Sequence, residues 1–193
     1  VSDILVAFPR DAIGREISMQ KSPDAVFFEE QPMRDNKLFY VMVAAGIGLI
    51  GFFGYGIYQQ IVLGRPWGDR PMGDTALLAV GGLYILLGVL FVFFFWRGGL
   101  ATEVRPGGLY VRYFPFHSKF QQIPLQGVRS CRSLTYRPIL DYGGWGIRVG
   151  LGKRAYNVSG NKGVELEYEG GKRLLIGSKR SDQLAGAIES LRR

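Results

Sequence analysis

The chain is predicted to be an α+β, mainly β, domain carried on an α-helical membrane hairpin, and three observations lead there. Two long uncharged apolar runs occupy residues 38–58 and 75–96, LFYVMVAAGIGLIGFFGYGIY and TALLAVGGLYILLGVLFVFFFW. Short β-branched and aromatic segments, separated by glycine turns, fill most of the chain beyond residue 98, and an amphipathic segment closes it. At about 1.5 Å per residue, each run covers a hydrocarbon core of roughly 30 Å. The alternative, two buried helices in a large soluble core, fails on mass. A chain of 193 residues has no other helical material to wrap two helices that are apolar all round.

In chain order, residues 1–37 are expected to be an N-terminal cytoplasmic docking segment. Ile4, Leu5, Val6 and Phe8 form an apolar cluster ended by Pro9. Residues 11–20 suit a brief helix with Ile13 and Ile17 on one face, before Pro23. Val26-Phe27-Phe28 then leads into EEQPMRDNK, read as a polar approach to the membrane. The segment has nothing of its own to bury these apolar residues, so the C-terminal domain or another subunit is expected to hold it. No cleavable signal is expected, because the first 20 residues lack a basic start and an apolar stretch of roughly 7–15 residues. Val1 fits removal of an initiator Met.

The membrane hairpin is placed at 38–63 and 75–97, joined by a short non-cytoplasmic loop at 64–74. Ala44, Gly48, Gly51, Gly81, Gly82 and Gly88 are the expected helix-packing positions, since small residues let membrane helices approach closely. Some pack within the hairpin, and the rest are open to a partner helix. The run FVFFFW at 91–96, with Tyr55, Tyr58 and Trp67, reads as interfacial belting, and Trp67 and Trp96 are the expected anchors. Gln59 and Gln60 are the strongly polar side chains nearest the spans, and they sit at an end. Ion or proton transport needs ionisable groups at depth, so a pump, antiporter or channel is not expected.

Charge orients the hairpin. Residues 1–37 carry 5 basic and 7 acidic groups, the loop 64–74 two of each, and 97–193 carry 17 basic against 7 acidic, so the C-terminal part, at +10, holds the excess behind the net +8. Arg34, Lys37, Arg97 and Arg105 flank the spans on the terminal side, against Arg65 and Arg70 in the loop. The positive-inside rule then predicts a multi-pass membrane protein with both termini in the cytoplasm. The single cysteine, Cys131, excludes an internal disulfide and suits a reducing compartment.

Residues 100–193 are expected to form one cytoplasmic domain. After Gly98-Gly99 breaks the second helix come ATEVRP, LYVRYFPF, FQQIPL, GVRSCRSLTYR, WGIRVGL, AYNVSG, GVELEY and KRLLIGS, separated by turns. Alternation is clear in Leu109/Val111/Tyr113 and in Val164/Leu166/Tyr168. This predicts about seven strands in an antiparallel meander that curls into a sandwich or partly open barrel. Ser181 is expected to cap a final helix, DQLAGAIESLRR, with Leu184, Ile188 and Leu191 on one face as a plug for the sheet opening.

These phrases carry a resemblance. Gly108-Leu109-Tyr110-Val111-Arg112, Ile123-Pro124, Gly163-Val164-Glu165-Leu166 through Arg173, and Leu175-Ile176-Gly177-Ser178-Lys179-Arg180 resemble the membrane-anchored bacterial PH-like proteins of the pleckstrin-homology superfold. The resemblance covers about residues 38–193 and leaves the first 37 unexplained. It implies two spans followed by a PH-like domain capped by a C-terminal helix. It also implies a lipid- or protein-binding module with no catalytic residue to carry over.

Catalytic material is sparse. His117 is the only histidine, set in a turn-like FPFHSKF, and no metal-ligand spacing is present. Glu165, Glu167 and Glu169 read as the solvated face of a strand. Gly150-Leu151-Gly152-Lys153-Arg154 reads as a hairpin turn, since a phosphate loop would need Gly at position 147 and Ser or Thr at 154. No catalytic residue, cofactor, metal, nucleic acid or small-molecule substrate is therefore expected. Basic residues among aromatics are the stronger signal. Arg97, Arg105, Arg112, Lys119, Arg129 and Arg132 are the expected contacts for anionic phospholipid or an acidic partner, each worth roughly 1 kcal/mol beside an anionic bilayer. The competing reading is the ordinary basic surface of a cytoplasmic domain. The function expected is a non-catalytic accessory or scaffold subunit bound to other integral membrane subunits of a larger bacterial complex. Respiratory and photosynthetic assemblies are its candidate hosts. The other reading is a free-standing homo-oligomer that binds anionic lipid or serves envelope stress.

Overall fold

Turn residues divide the chain into nine strands and four α-helices among the residues that the structure, a computed structural model, describes: 22–192. The predicted apolar cluster at 4–8 and the brief helix at 11–20 lie outside the described residues. Helix α1 spans Lys37–Ile57 and runs on as a π-helical turn, Tyr58–Val62, while α2 spans Asp74–Arg97. Both are long and apolar enough to cross a membrane, and only 11% and 17% of their most apolar windows is buried within the chain. Most of their surface therefore faces outward.

The two helices meet along a glycine seam. A Cβ on Gly46 would sit 2.8 Å from Val92 Cγ2, one on Gly88 2.8 Å from Ile50 Cγ1, and one on Gly81 3.1 Å from Ile57 Cδ1. At the turn, Trp67 folds back onto Gly56 and packs edge-on against Phe52. Gln60 ties the loop together, donating from Nε2 to Met72 O at 2.7 Å and to Asp74 Oδ1 at 2.8 Å.

The β part is two sheets. Strands β1 (Phe27–Pro32), β2 (Gly99–Arg105), β3 (Gly108–Phe114) and β4 (Gln121–Ile123) form a four-stranded antiparallel sheet in sequence order. The second holds β5 (Val128–Thr135), β6 (Gly146–Gly150), β7 (Lys153–Asn157), β8 (Lys162–Tyr168) and β9 (Arg173–Gly177), ordered β5-β8-β9-β7-β6. A short helix α3 (Pro138–Tyr142) links β5 to β6, and α4 (Ser181–Ser190) follows β9.

Three expectations change here. The expected meander of about seven antiparallel strands is, among the described residues, nine strands in two sheets and is broken, because β7 pairs with β9 in parallel: β8 takes one edge of β9, and the β6–β7 hairpin docks on the other. The stretch at 27–32 is not a polar approach but the edge strand of the first sheet, paired with β2 from Phe27↔Val104 to Pro32↔Gly99. Ser181 does not cap α4. It is the first helical residue, and its hydroxyl lies 2.9 Å from that of Ser133.

One core lies between the sheets. Leu100, Val104, Leu109 and Val111 from the first sheet meet Val164, Leu166 and Ile176 from the second, and Leu184 and Ile188 of α4 close the open end. Each of these aliphatic side chains is fully buried, worth about 1.5–3 kcal/mol apiece. A smaller cluster, Tyr136, Ala155 and Leu175, lies on the other face of the second sheet, with Tyr142 of α3 packed on it.

Candidate functional site

Side chains and backbone from both sheets meet at the junction where the helical hairpin enters the β domain. The hairpin is inserted in the connection between β1 and β2, so the strand ladder and the helix pair are continuous with each other. Met33 N–H donates to Gly98 O at 2.9 Å, extending the ladder one pair beyond Pro32↔Gly99. A side chain at Gly99 would lie 2.8 Å from Gln31 O, and one at Gly98 would lie 2.6 Å from Met33 Sδ. Gly99 thus admits the backbone of β1, and Gly98 the Met33 side chain that follows it.

Side chains lock this junction from the other sheet. Asn36 caps α1, accepting from Leu38 N–H at 3.0 Å, and donates from Nδ2 to Val158 O at 2.8 Å. Lys179 Nζ is 2.7 Å from Asp35 Oδ2. Along β1, the inward Glu29 accepts from Ser178 Oγ at 2.5 Å and from Lys179 N–H at 2.8 Å, and Gln31 Nε2 donates to Gly177 O at 2.8 Å. Arg180 lies over the Phe27 ring and donates to Phe28 O. Between β1 and α4, beside Arg180, lies an open cleft of about 520 Å³ that also exposes Phe28 and Gln183.

The predicted site residues separate into groups. Gly81 and Gly88 sit in the helix seam, whereas Gly48, Gly51 and Gly82 face open space, and Ala44 lies exposed one turn before Gly48. Trp96 is exposed beside Phe39, whereas Trp67 packs onto Gly56 at the turn of the hairpin. The six predicted cations do not form one patch. Arg97 ends α2, and Lys119 is exposed in the loop after β3. Arg105 lies at the far end of β2, its guanidinium 3.8 Å from the Tyr110 ring centroid. Arg112 is only 9% exposed and lies over Phe120. Arg129 and Arg132 belong to β5 in the other sheet, and Arg132 is paired at 2.7 Å with Glu165, a carboxylate that is buried rather than solvated. Arg34 and Lys37, which the sequence places beside the first span, are joined at the junction by Lys179 through its pair with Asp35, and Lys179 is the cation that sequence reasoning missed. Contacts of Glu29 and Gln31 with residues 177–179 across the two sheets bring it there.

The chemistry of the isolated groups is quiet. Burial, then the Arg154 charge, lowers the His117 pKa, and the ring packs edge-on against Tyr156. Burial pushes the Cys131 thiol up to about 11, with Glu189 adding to it. Tyr142 rises to about 12 through burial and the neighbouring Glu165 carboxylate. Among the described residues, no three His, Cys, Asp or Glu side chains stand close enough to hold a metal ion.

A family model described as "Family of unknown function (DUF6141)" matches residues 19–192. The chain belongs to that family. The DUF6141 match spans β1, both long helices and every later element, so the unit shared by the family includes the strand ahead of the hairpin. No curated protein and no solved structure matches the chain.

Proposed function

We propose that this DUF6141 chain is a non-catalytic docking subunit of a bacterial inner-membrane complex. Helices α1 and α2 cross the bilayer, and the β domain sits on the cytoplasmic face with both termini. The observation that carries the reading is the insertion of the hairpin between β1 and β2. A hairpin tethered at one end lets its domain swing. This one is bound into the sheet at both ends, so partner helices and cytoplasmic partners are held at a fixed relative orientation.

The outward faces of the hairpin supply the helix-docking surface. Ala44, Gly48 and Gly51 lie along one side of α1 with nothing packed on the two glycines, and small residues of this kind favour close helix contact. The domain is read as PH-like because of its strand order. Without the inserted hairpin and the β6–β7 hairpin, the remaining strands are two antiparallel meanders, β1-β2-β3-β4 and β5-β8-β9, followed by α4. This arrangement is similar to the order of the pleckstrin-homology superfold and supports that reading, and members of that superfold mostly bind rather than catalyse.

Extraction of native membranes with a mild detergent, followed by native electrophoresis, tests the assignment. The chain is expected to co-migrate with larger heteromeric material. A homogeneous homo-oligomer would overturn the assignment in favour of the free-standing module, for which the same Ala44–Gly48–Gly51 face would serve self-association. Retention after deletion of residues 1–21 tests the docking role of the N-terminal segment. A longer deletion would remove β1 and confuse docking with folding.

A further inference from the structure

The strands fix which loops lie at the hairpin end of the β domain. Strand β2 leaves α2 at Gly99, and β3 returns to that level at Phe114, its partner in register. The Phe114 ring lies 6.3 Å from that of Phe94, one turn inside the end of α2. Two residues later, Phe116 is 71% exposed, and Lys119 is exposed in the same loop.

The second sheet reaches the same end. The loop 158–161 carries Val158 O, which accepts from Asn36 of the α1 cap, and Asn161 O, which accepts from Tyr136 N–H at 2.8 Å. Residue 136 is followed directly by Arg137 and α3, so α3 lies at the hairpin end too. Its Ile139 and Leu140 are 65% and 73% exposed, while Tyr142 is packed inward on Tyr136. Arg137 stands at its start, three-quarters exposed, in a loose pair with Asp141 at 3.5 Å.

We propose that the loop 115–119 and α3 form a second, shallow contact with the bilayer, in which Phe116, Ile139 and Leu140 enter the headgroup boundary and Lys119 and Arg137 face anionic phospholipid. The inference rests on the proposal that α1 and α2 span the membrane. Large apolar side chains flanked by cations are the composition that binds at a lipid interface. Neither element would hold a soluble domain on a membrane by itself. The hairpin supplies the high local concentration that makes weak contacts effective. Continuity with the span favours lipid over protein as the occupant, because Phe114 already touches α2 near its end and Phe116 extends from it. The contact would set the tilt of the β domain, leaving the tip of the β6–β7 hairpin, Leu151, pointing away.

The test uses the full chain with Cys131→Ser, in nanodiscs with and without phosphatidylglycerol. An environment-sensitive probe is attached through Phe116→Cys, Leu140→Cys, Leu151→Cys or Leu86→Cys, all at exposed positions. Spin-labelled lipid is expected to quench the probe at 116, 140 and 86, and a water-soluble quencher the probe at 151. Combining Lys119→Gln with Arg137→Gln is expected to shift the docking equilibrium by roughly 25-fold in phosphatidylglycerol discs, about five-fold per cation. Water exposure at 116 and 140 while 86 stays lipid-quenched would overturn the contact and leave the spanning reading intact. Loss of lipid quenching at 86 as well would remove both. Protection of 116 and 140 from both quenchers would mean that protein covers them, which also overturns the proposal.

Discussion

Gly99 shows how one residue can set the relation between two parts of a molecule. A Cβ there would meet Gln31 O at 2.8 Å and Pro32 Cα at 3.1 Å, and both are backbone atoms that cannot rotate aside. Gly99→Ala is expected to cost roughly 1–3 kcal/mol, in line with other overpacked sites. Gly82→Ala, which enters open space, should change stability by less than about 0.5 kcal/mol. Chemical unfolding of both variants in detergent checks this, and equal losses would mean that the junction yields. From the sequence, Gly98-Gly99 reads correctly as a helix break, but its close approach depends on a strand far away in the chain. Arg112 illustrates the same gap. The alternation of Leu109, Val111 and Tyr113 puts it on the opposite face of β3, yet the pattern is silent on what lies there, and the residue is nearly covered.

At the scale of elements, most strands were legible, because glycine turns and β-branched runs mark them locally. All eight segments after Gly98 became strands at or close to the predicted places. Strand β1 escaped because its inward positions are Phe27, Glu29 and Gln31, and two polar residues out of three erase the alternation. They are tolerated because the carboxylate and amide reach across to Ser178, Lys179 and Gly177. Glu29→Ala would leave those buried donors unmet, and a loss of about 1–3 kcal/mol is expected. Glu29→Gln should fall between the wild type and that value, since it keeps an acceptor oxygen. Hydrogen exchange across residues 27–32 should accelerate in the alanine variant. Unchanged protection there would mean that β2 alone holds the strand. The parallel β7–β9 pair was equally hidden, since no local signal marks which edge a hairpin will join.

For the molecule as a whole, stability depends on pH through buried phenols, a thiol and an imidazole in the β domain. Burial pushes the Tyr113 and Tyr168 phenols up to about 12, and Tyr142 reaches about 12 through burial together with Glu165. Cys131 reaches about 11, against ordinary values of 10.0 for the phenols and 9.0 for the thiol. An unfolded chain releases these protons near its ordinary values, while the folded domain still holds them. The folded state thus binds more protons between about pH 9 and 12, and its stability must fall as pH rises through that window. His117 acts in the opposite sense. Burial and Arg154 hold its pKa below 6.5, so the unfolded chain takes up the proton first, and stability falls as pH drops below that value. Denaturant titrations followed by near-ultraviolet circular dichroism should therefore give a stability maximum between these limits. Tyr142→Phe and Tyr168→Phe together should flatten the alkaline limb, while His117→Gln should flatten only the acid one. An alkaline limb unchanged by the double substitution would show that the buried phenols do not couple proton release to unfolding.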